Sequence, residues 1–145
     1  MSADSNKALI RRFFEFINKD NLAPIDEFFA NTYVYHNPSM PEVKDLAGVK
    51  QFNAMAYSAF PDVQFTIEDI VAEGDRVVYR YSAPATHKGD FMGIAATGKQ
   101  VTVTGIVISR IVDGKFQEDW EWMDMLGFMH QLGMVPQLAR ESNFN

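Results

Sequence analysis

Acidic and aromatic side chains able to do chemistry are concentrated in one run near the C-terminus: Asp113-Gly114-Lys115-Phe116-Gln117-Glu118-Asp119-Trp120-Glu121-Trp122-Met123-Asp124-Met125-Leu126-Gly127. The run reads as a turn, an alternating strand, and an aspartate at the strand's end before an apolar, helical tail. Strand side chains alternate between faces, so counting by twos from Phe116 puts Glu118, Trp120, Trp122 and Asp124 on one side. On a concave apolar face a carboxylate loses hydration and its pKa rises, which makes Asp124 a candidate general base. The same count sends Asp119 and Glu121 to the opposite face, toward solvent or a subunit contact.

Asp124 has a second reading. It directly precedes an apolar helical stretch and so can serve as that helix's N-cap. A carboxylate held by backbone N–H groups has its proton affinity lowered, which opposes base function. His36 ends a β-branched and aromatic run before Asn37-Pro38, and is a candidate acid or electrophilic partner for a substrate carbonyl. Its plain alternative is a histidine that ties down a turn. We favour the pocket, since His36 shares its alternation face with Val34 while Tyr35 points elsewhere. Arg110 depends on the turn at Asp113-Gly114. A two-residue loop puts Ser109 and Val107 on the face of Trp120, whereas a three-residue loop with a bulge at Gly114 puts Arg110, Ile108 and Ile106 there. The bulged form is preferred. It brings Arg110 beside Glu118, where a structural salt bridge competes with substrate contact.

Phe13, Phe16, Met55, Phe60, Trp120 and Trp122 are candidate walls of a flat hydrophobic cavity, with Ile108 and Arg110 beside them; for each taken singly, ordinary core packing is the favoured reading. His87 lies in a glycine-rich segment and reads as a rim residue facing solvent, and His130 as a surface residue. The three histidines are far apart in sequence and form no i, i+4 pair, so no metal site is expected.

The elements that must position these groups are legible from periodicity. Leu9, Ile10, Phe13, Phe14 and Ile17 predict an amphipathic helix over residues 5–18, capped by Asp4 or Ser5. A short helix follows over 24–30, then a strand at 32–36, and a helix over 45–58 with Leu46, Val49, Phe52, Met55 and Ala56 on one side. From Val63 the period changes to two. It gives a hairpin around Glu73-Gly74-Asp75, a long β-forming run over 100–111, the strand described above, and a helix over 125–138. Helices first and antiparallel strands after indicate an α+β fold. Three helices against a strongly twisted sheet make a cone that can enclose a pocket.

One domain, 1–145, accommodates the chain. The hydrophobic fraction of 47% and aromatic fraction of 13% exclude a disordered polymer. A net charge of −6 with no Lys/Arg cluster argues against a nucleic-acid partner. With no cysteine, disulfides and thiolate chemistry are absent. Neither an apolar signal core nor a membrane-length apolar run occurs, so a cytoplasmic protein with no membrane partner is expected.

Several motifs resemble the SnoaL-like polyketide cyclase family, within the nuclear-transport-factor-2-like superfold. They are Tyr35-His36-Asn37-Pro38, Thr86-His87-Lys88-Gly89-Asp90-Phe91-Met92-Gly93, Thr97-Gly98-Lys99, Arg110-Ile111-Val112-Asp113-Gly114-Lys115, Glu118-Asp119-Trp120, Asp124-Met125-Leu126-Gly127 and Gln131-Leu132-Gly133. The resemblance implies a cone-shaped α+β barrel, with a curved, mostly antiparallel sheet and three N-terminal helices around a pocket. It implies a cyclase or isomerase that needs no cofactor, acting on a small apolar carbonyl compound by aldol closure, with Asp124 at the position of the family's acid/base aspartate. Two alternatives share the scaffold: a non-catalytic binder of small hydrophobes, and an epoxide hydrolase or isomerase. The latter would require an Asp-Arg-Asp constellation, of which only Arg110 and Asp124 are visible. Members of this superfold commonly pair their outer sheet faces, and both faces of 101–111 carry apolar or β-branched residues, so a homodimer is expected.

Overall fold

In the computed structural model, which describes residues 2–19 and 25–134, the first helix (α1, Ala3–Lys19) buries Leu9, Ile10 and Phe14 along one stripe. That is the i, i+1, i+5 face its sequence predicts. The second (α2, Leu46–Ala59) starts at Asp45, whose carboxylate accepts from the Gly48 N–H at 2.8 Å. It stops at Phe60, whose own N–H closes onto the Ala56 carbonyl at 2.8 Å. The short helix expected over 24–30 is instead a single 3₁₀ turn, Ile25–Glu27, and strand β1 (Phe29–His36) begins at once. Phe29 and Tyr33 are buried from that strand, and β1 runs parallel to the chain's last strand; this pairing overrides local helix preference.

The remaining strands are β2 (Thr66–Glu73), β3 (Arg76–Thr86), β4 (Gln100–Val112) and β5 (Lys115–Met123), followed by the helix α3 (Met125–Gln131). The sheet order is β1-β5-β4-β3-β2, antiparallel except for β1 with β5, so β1 and β2 are the open edges of a curved mixed sheet. Expected helix 125–138 is seen to Gln131, and residues 135–138 lie outside the described residues. No helix among the described residues is long and apolar enough to cross a membrane.

One face of the sheet is covered. A first core joins α1 to β1, β3, β4 and β5 through Ile10, Phe14, Phe29, Tyr79, Val107 and Phe116. A second closes the far end with Phe60, Phe91, Ile94, Val101, Phe128 and Leu132. Between them the layers do not meet, and a cavity of about 230 Å³ remains.

Candidate active site

The parity of β5 decides which side chains the cavity sees. Asp113 and Gly114 have φ of 52° and 75°, the pair of left-handed residues a tight two-residue hairpin needs. Val112 faces Lys115 and Ile111 faces Phe116, but Arg110 then faces Glu118, leaving Gln117 without an opposite number. This bulge inserts one residue and reverses the alternation. Phe116 points inward at 1% exposure, and after the bulge the inward positions are Asp119, Glu121 and Met123. The count by twos from Phe116 fails at that one residue.

Several expected site residues are therefore on the other face. Trp120, Trp122, Arg110 and Ile108 do not line the cavity, and neither does His36. Trp122 is 57% exposed. On that convex side the His36 Nε2 lies 2.6 Å from a Glu118 oxygen, and the Arg110 Nη2 lies 3.0 Å from the other. The His36 ring stacks on Trp120, and the Arg76 guanidinium covers that indole at 5.0 Å. The His36 hydrogen bond, then Arg110, holds the Glu118 carboxyl below its ordinary range. The expected Arg110–Glu118 pairing is present, brought about by the bulge at Gln117 rather than a three-residue loop. Arg110 and Asp124 do not meet, and no Arg, Lys or His lines the cavity among the described residues. Phe60 lines it as expected, whereas Phe16 and Met55 are partly exposed elsewhere. His87, expected at a solvent-facing rim, is fully buried: its ring stacks on Phe60 and its Nδ1 accepts from the Thr97 N–H at 3.2 Å.

Asp124 does line the cavity, at the start of α3. Its carboxylate accepts from the Gly127 N–H at 2.8 Å, the N-cap geometry. A Cβ at Gly127 would stand 2.1 Å from the other carboxylate oxygen, so the cap needs glycine there. Asparagine caps a helix as well as aspartate, while alanine loses about 1 kcal/mol. We expect Asp124→Asn to keep urea stability and Asp124→Ala to lose that amount. An Asp124→Asn variant that folds normally but loses nearly all turnover would make Asp124 the base.

Glu121 is the carboxylate that the fold holds inside. Tyr35 Oη donates to its Oε1 at 2.7 Å, and Tyr81 Oη donates to its Oε2. Burial raises its proton affinity, and the two phenols partly offset this by favouring the anion. Burial first, then the Glu121 charge, pushes both phenols well above their ordinary value, so they stay protonated donors. Tyr81 reaches Glu121 by lying flat over Gly105. A side chain there would meet the phenol ring and oxygen at 2.6–2.8 Å. Asp119 sits one inward position earlier and takes a 2.6 Å bond from Tyr33. Burial pushes its carboxyl up to about 6 against the pull of Ser109 and Tyr33.

The remaining walls are apolar: Phe13, Phe14, Phe65, Val103, Val107 and Phe128 among them. From α2, Asn53 and Tyr57 bring the polar groups of that wall. The arrangement can admit an uncharged hydrophobic molecule, remove a proton from it at one carboxylate, and offer phenol and amide donors to its oxygens. Sequence reasoning passed over Glu121, Tyr35 and Tyr81. Their signal was a set of hydroxyls alternating at 33, 35, 79 and 81 beside acids alternating at 119 and 121.

The chain is 30% identical over 132 residues to the aklanonic acid methyl ester cyclase DauD of Streptomyces sp. (strain C5), covering 86% of this chain and 80% of DauD. It is 30% identical to the cyclase of the same description, DnrD, of Streptomyces peucetius, covering 86% and 88% of the two chains. Among solved structures, AclR of Streptomyces galilaeus, a candidate hydroxylase, superposes with a TM-score of 0.84 at 31% identity, over 93% of this chain and 100% of that one. IdmH of Streptomyces antibioticus, a candidate polyketide cyclase, superposes with a TM-score of 0.78 at 31% identity, over 88% and 98%. The family model for SnoaL-like polyketide cyclases matches residues 7–132, nearly the whole described fold, and the chain belongs to that family.

Proposed function

We propose that the protein is a cyclase, working without a cofactor, that closes a ring in an uncharged, polyketide-derived aromatic ketone by intramolecular aldol addition, with Glu121 as the base. The observation that carries this reading is a carboxylate inside an apolar cavity, raised in proton affinity by burial and held by two phenol donors. A C–H between two carbonyls is already acidic, so a carboxylate with raised proton affinity suffices to remove its proton. The carbanion then adds to a ketone of the same molecule, and the new alkoxide takes the proton back from Glu121. Nothing is gained or lost, so product and substrate are isomers. The walls contribute by folding the chain so that the two carbons meet. Asn53 and Tyr57 are placed to donate to the oxygen on which charge develops.

The test is incubation of the purified protein with aklanonic acid methyl ester, the compound in the names of DauD and DnrD. A product of unchanged mass with a new carbon–carbon bond supports the reading. A product heavier by one oxygen would put the protein with the hydroxylases, and tight binding with no product would make it a binder.

The convex sheet face bears on assembly. Val34, Ile106 and Trp122 are 39%, 48% and 57% exposed there, beside the Arg76–Trp120–His36 stack. Such a face is covered at low cost by a second copy across a two-fold axis. We expect a dimer in sedimentation velocity at micromolar concentration, and a monomer for Trp122→Glu. A wild-type monomer would contradict this.

A further inference from the structure

Asn37, the turn residue after β1, does not line the cavity, yet it controls the direction of a hydrogen bond inside it. Its side chain is buried at 3% exposure. The Ser39 N–H donates to its Oδ1 at 2.9 Å, which identifies that atom as the amide oxygen, because an amide nitrogen offers no acceptor. The nitrogen end therefore faces Tyr35, and Nδ2 donates to Tyr35 Oη at 3.0 Å. A phenol has one hydrogen. With its oxygen already accepting from Asn37, that hydrogen must go to the remaining partner, Glu121 Oε1 at 2.7 Å. The Met40 N–H closes onto the Asn37 carbonyl at 2.9 Å and fixes the backbone of the same turn.

We propose that Asn37 is a positioning residue that locks the Tyr35 hydroxyl hydrogen onto Glu121 and so keeps the base in its proton-accepting form. The proposal rests on the reading of Glu121 as the base, but its mechanism can be measured without turnover. The ionisable and polar groups around Glu121 are Tyr35 from β1, Tyr79 and Tyr81 from β3, Asp119 on β5, Asp124 at the start of α3, and Asn53 and Tyr57 from α2. The residues of α1 that line the cavity, Phe13, Phe14 and Ile17, carry no charge.

Asn37→Asp discriminates this role from a turn-holding one. Aspartate keeps an acceptor for the Ser39 N–H, so the turn survives, but its second oxygen faces Tyr35 and takes the phenol hydrogen away from Glu121. The Glu121 carboxyl titration, followed by ¹³C NMR on the free protein, should move up by about 1 pH unit, the scale of one hydrogen bond to a charged group. The acid limb of kcat/KM should follow it, with KM unchanged. In a Tyr35→Phe background the relay is cut, and Asn37→Asp should then move the titration by less than about a third as much. Asn37→Ser, which can still accept from Ser39 but cannot donate as the amide does, is the second variant, with an upward shift roughly half as large. A Glu121 titration that stays in place, or one that moves equally in the Tyr35→Phe background, overturns the proposal. Should no cyclisation be found while the titration moves as stated, the positioning role stands and the assignment of Glu121 as catalytic base falls.

Discussion

Replacing Glu121 with glutamine is expected to lower turnover by roughly 10²–10⁴ while leaving ligand binding within a few fold, the usual cost of removing a general base. Glutamine nearly matches glutamate in shape; its carbonyl oxygen can still accept from Tyr35, and its amide nitrogen can donate to the Tyr81 oxygen in place of the bond that oxygen's hydrogen made, so the cavity should keep its form. It cannot accept the substrate proton. Steady-state kinetics beside calorimetric binding of the substrate separate the two effects, and the Asp124→Asn variant is the control. Loss of turnover in the Asp124 variant with full activity in the Glu121 variant would reverse the assignment.

The second large effect concerns stability. Burial raises the Asp119 carboxyl to about 6, whereas in an unfolded chain it titrates near about 4. Between those values the folded protein binds more protons than the unfolded one, so stability falls as pH rises through that window and levels off above it. Above the window the fold carries a buried charge inside its core, held by the Tyr33 hydroxyl. Asp119→Asn removes that charge and still accepts from Tyr33. It should be more stable than the wild type at pH 7.5 by roughly 1–3 kcal/mol, and nearly equal to it at pH 4. Urea unfolding at both pH values reads this directly. A variant less stable at pH 7.5 would mean that the Tyr33 bond to a charged oxygen outweighs the cost of burying it.

Much of the fold was legible because it is encoded locally. The Leu9-to-Ile17 spacing, the alternation around Gly74, and Asp113-Gly114 as the turn before the last strand each correspond to an observed element, although that turn takes its two-residue form and not the preferred three-residue loop. The start of β1 was not, since Phe29 becomes a strand residue only through its parallel partner on β5. Several expected site residues fall on the opposite sheet face for a related reason. A bulge at Gln117 is a property of how β5 pairs with β4, and no local signal in Lys115-Phe116-Gln117-Glu118 marks it. The hydrophobic pattern also pointed the wrong way. Trp120 and Trp122 look like interior residues, but the helices cover only the concave side and leave the tryptophans on the convex one. Asp119 and Glu121 look like surface acids, but tyrosines on β1 and β3 reach them across the inner face of the sheet.

A crystal structure of the Glu121→Gln variant with aklanonic acid methyl ester bound tests the central claim most directly, because it reports which carboxylate position faces the reacting carbon. The account predicts the ester inside the cavity, with its most acidic carbon about 3–3.5 Å from the amide at position 121. Its ketone oxygen should lie within hydrogen-bond reach of Asn53 or Tyr57. A ligand whose acidic carbon lies against Asp124, or one bound on the convex face beside His36 and Trp120, would contradict it.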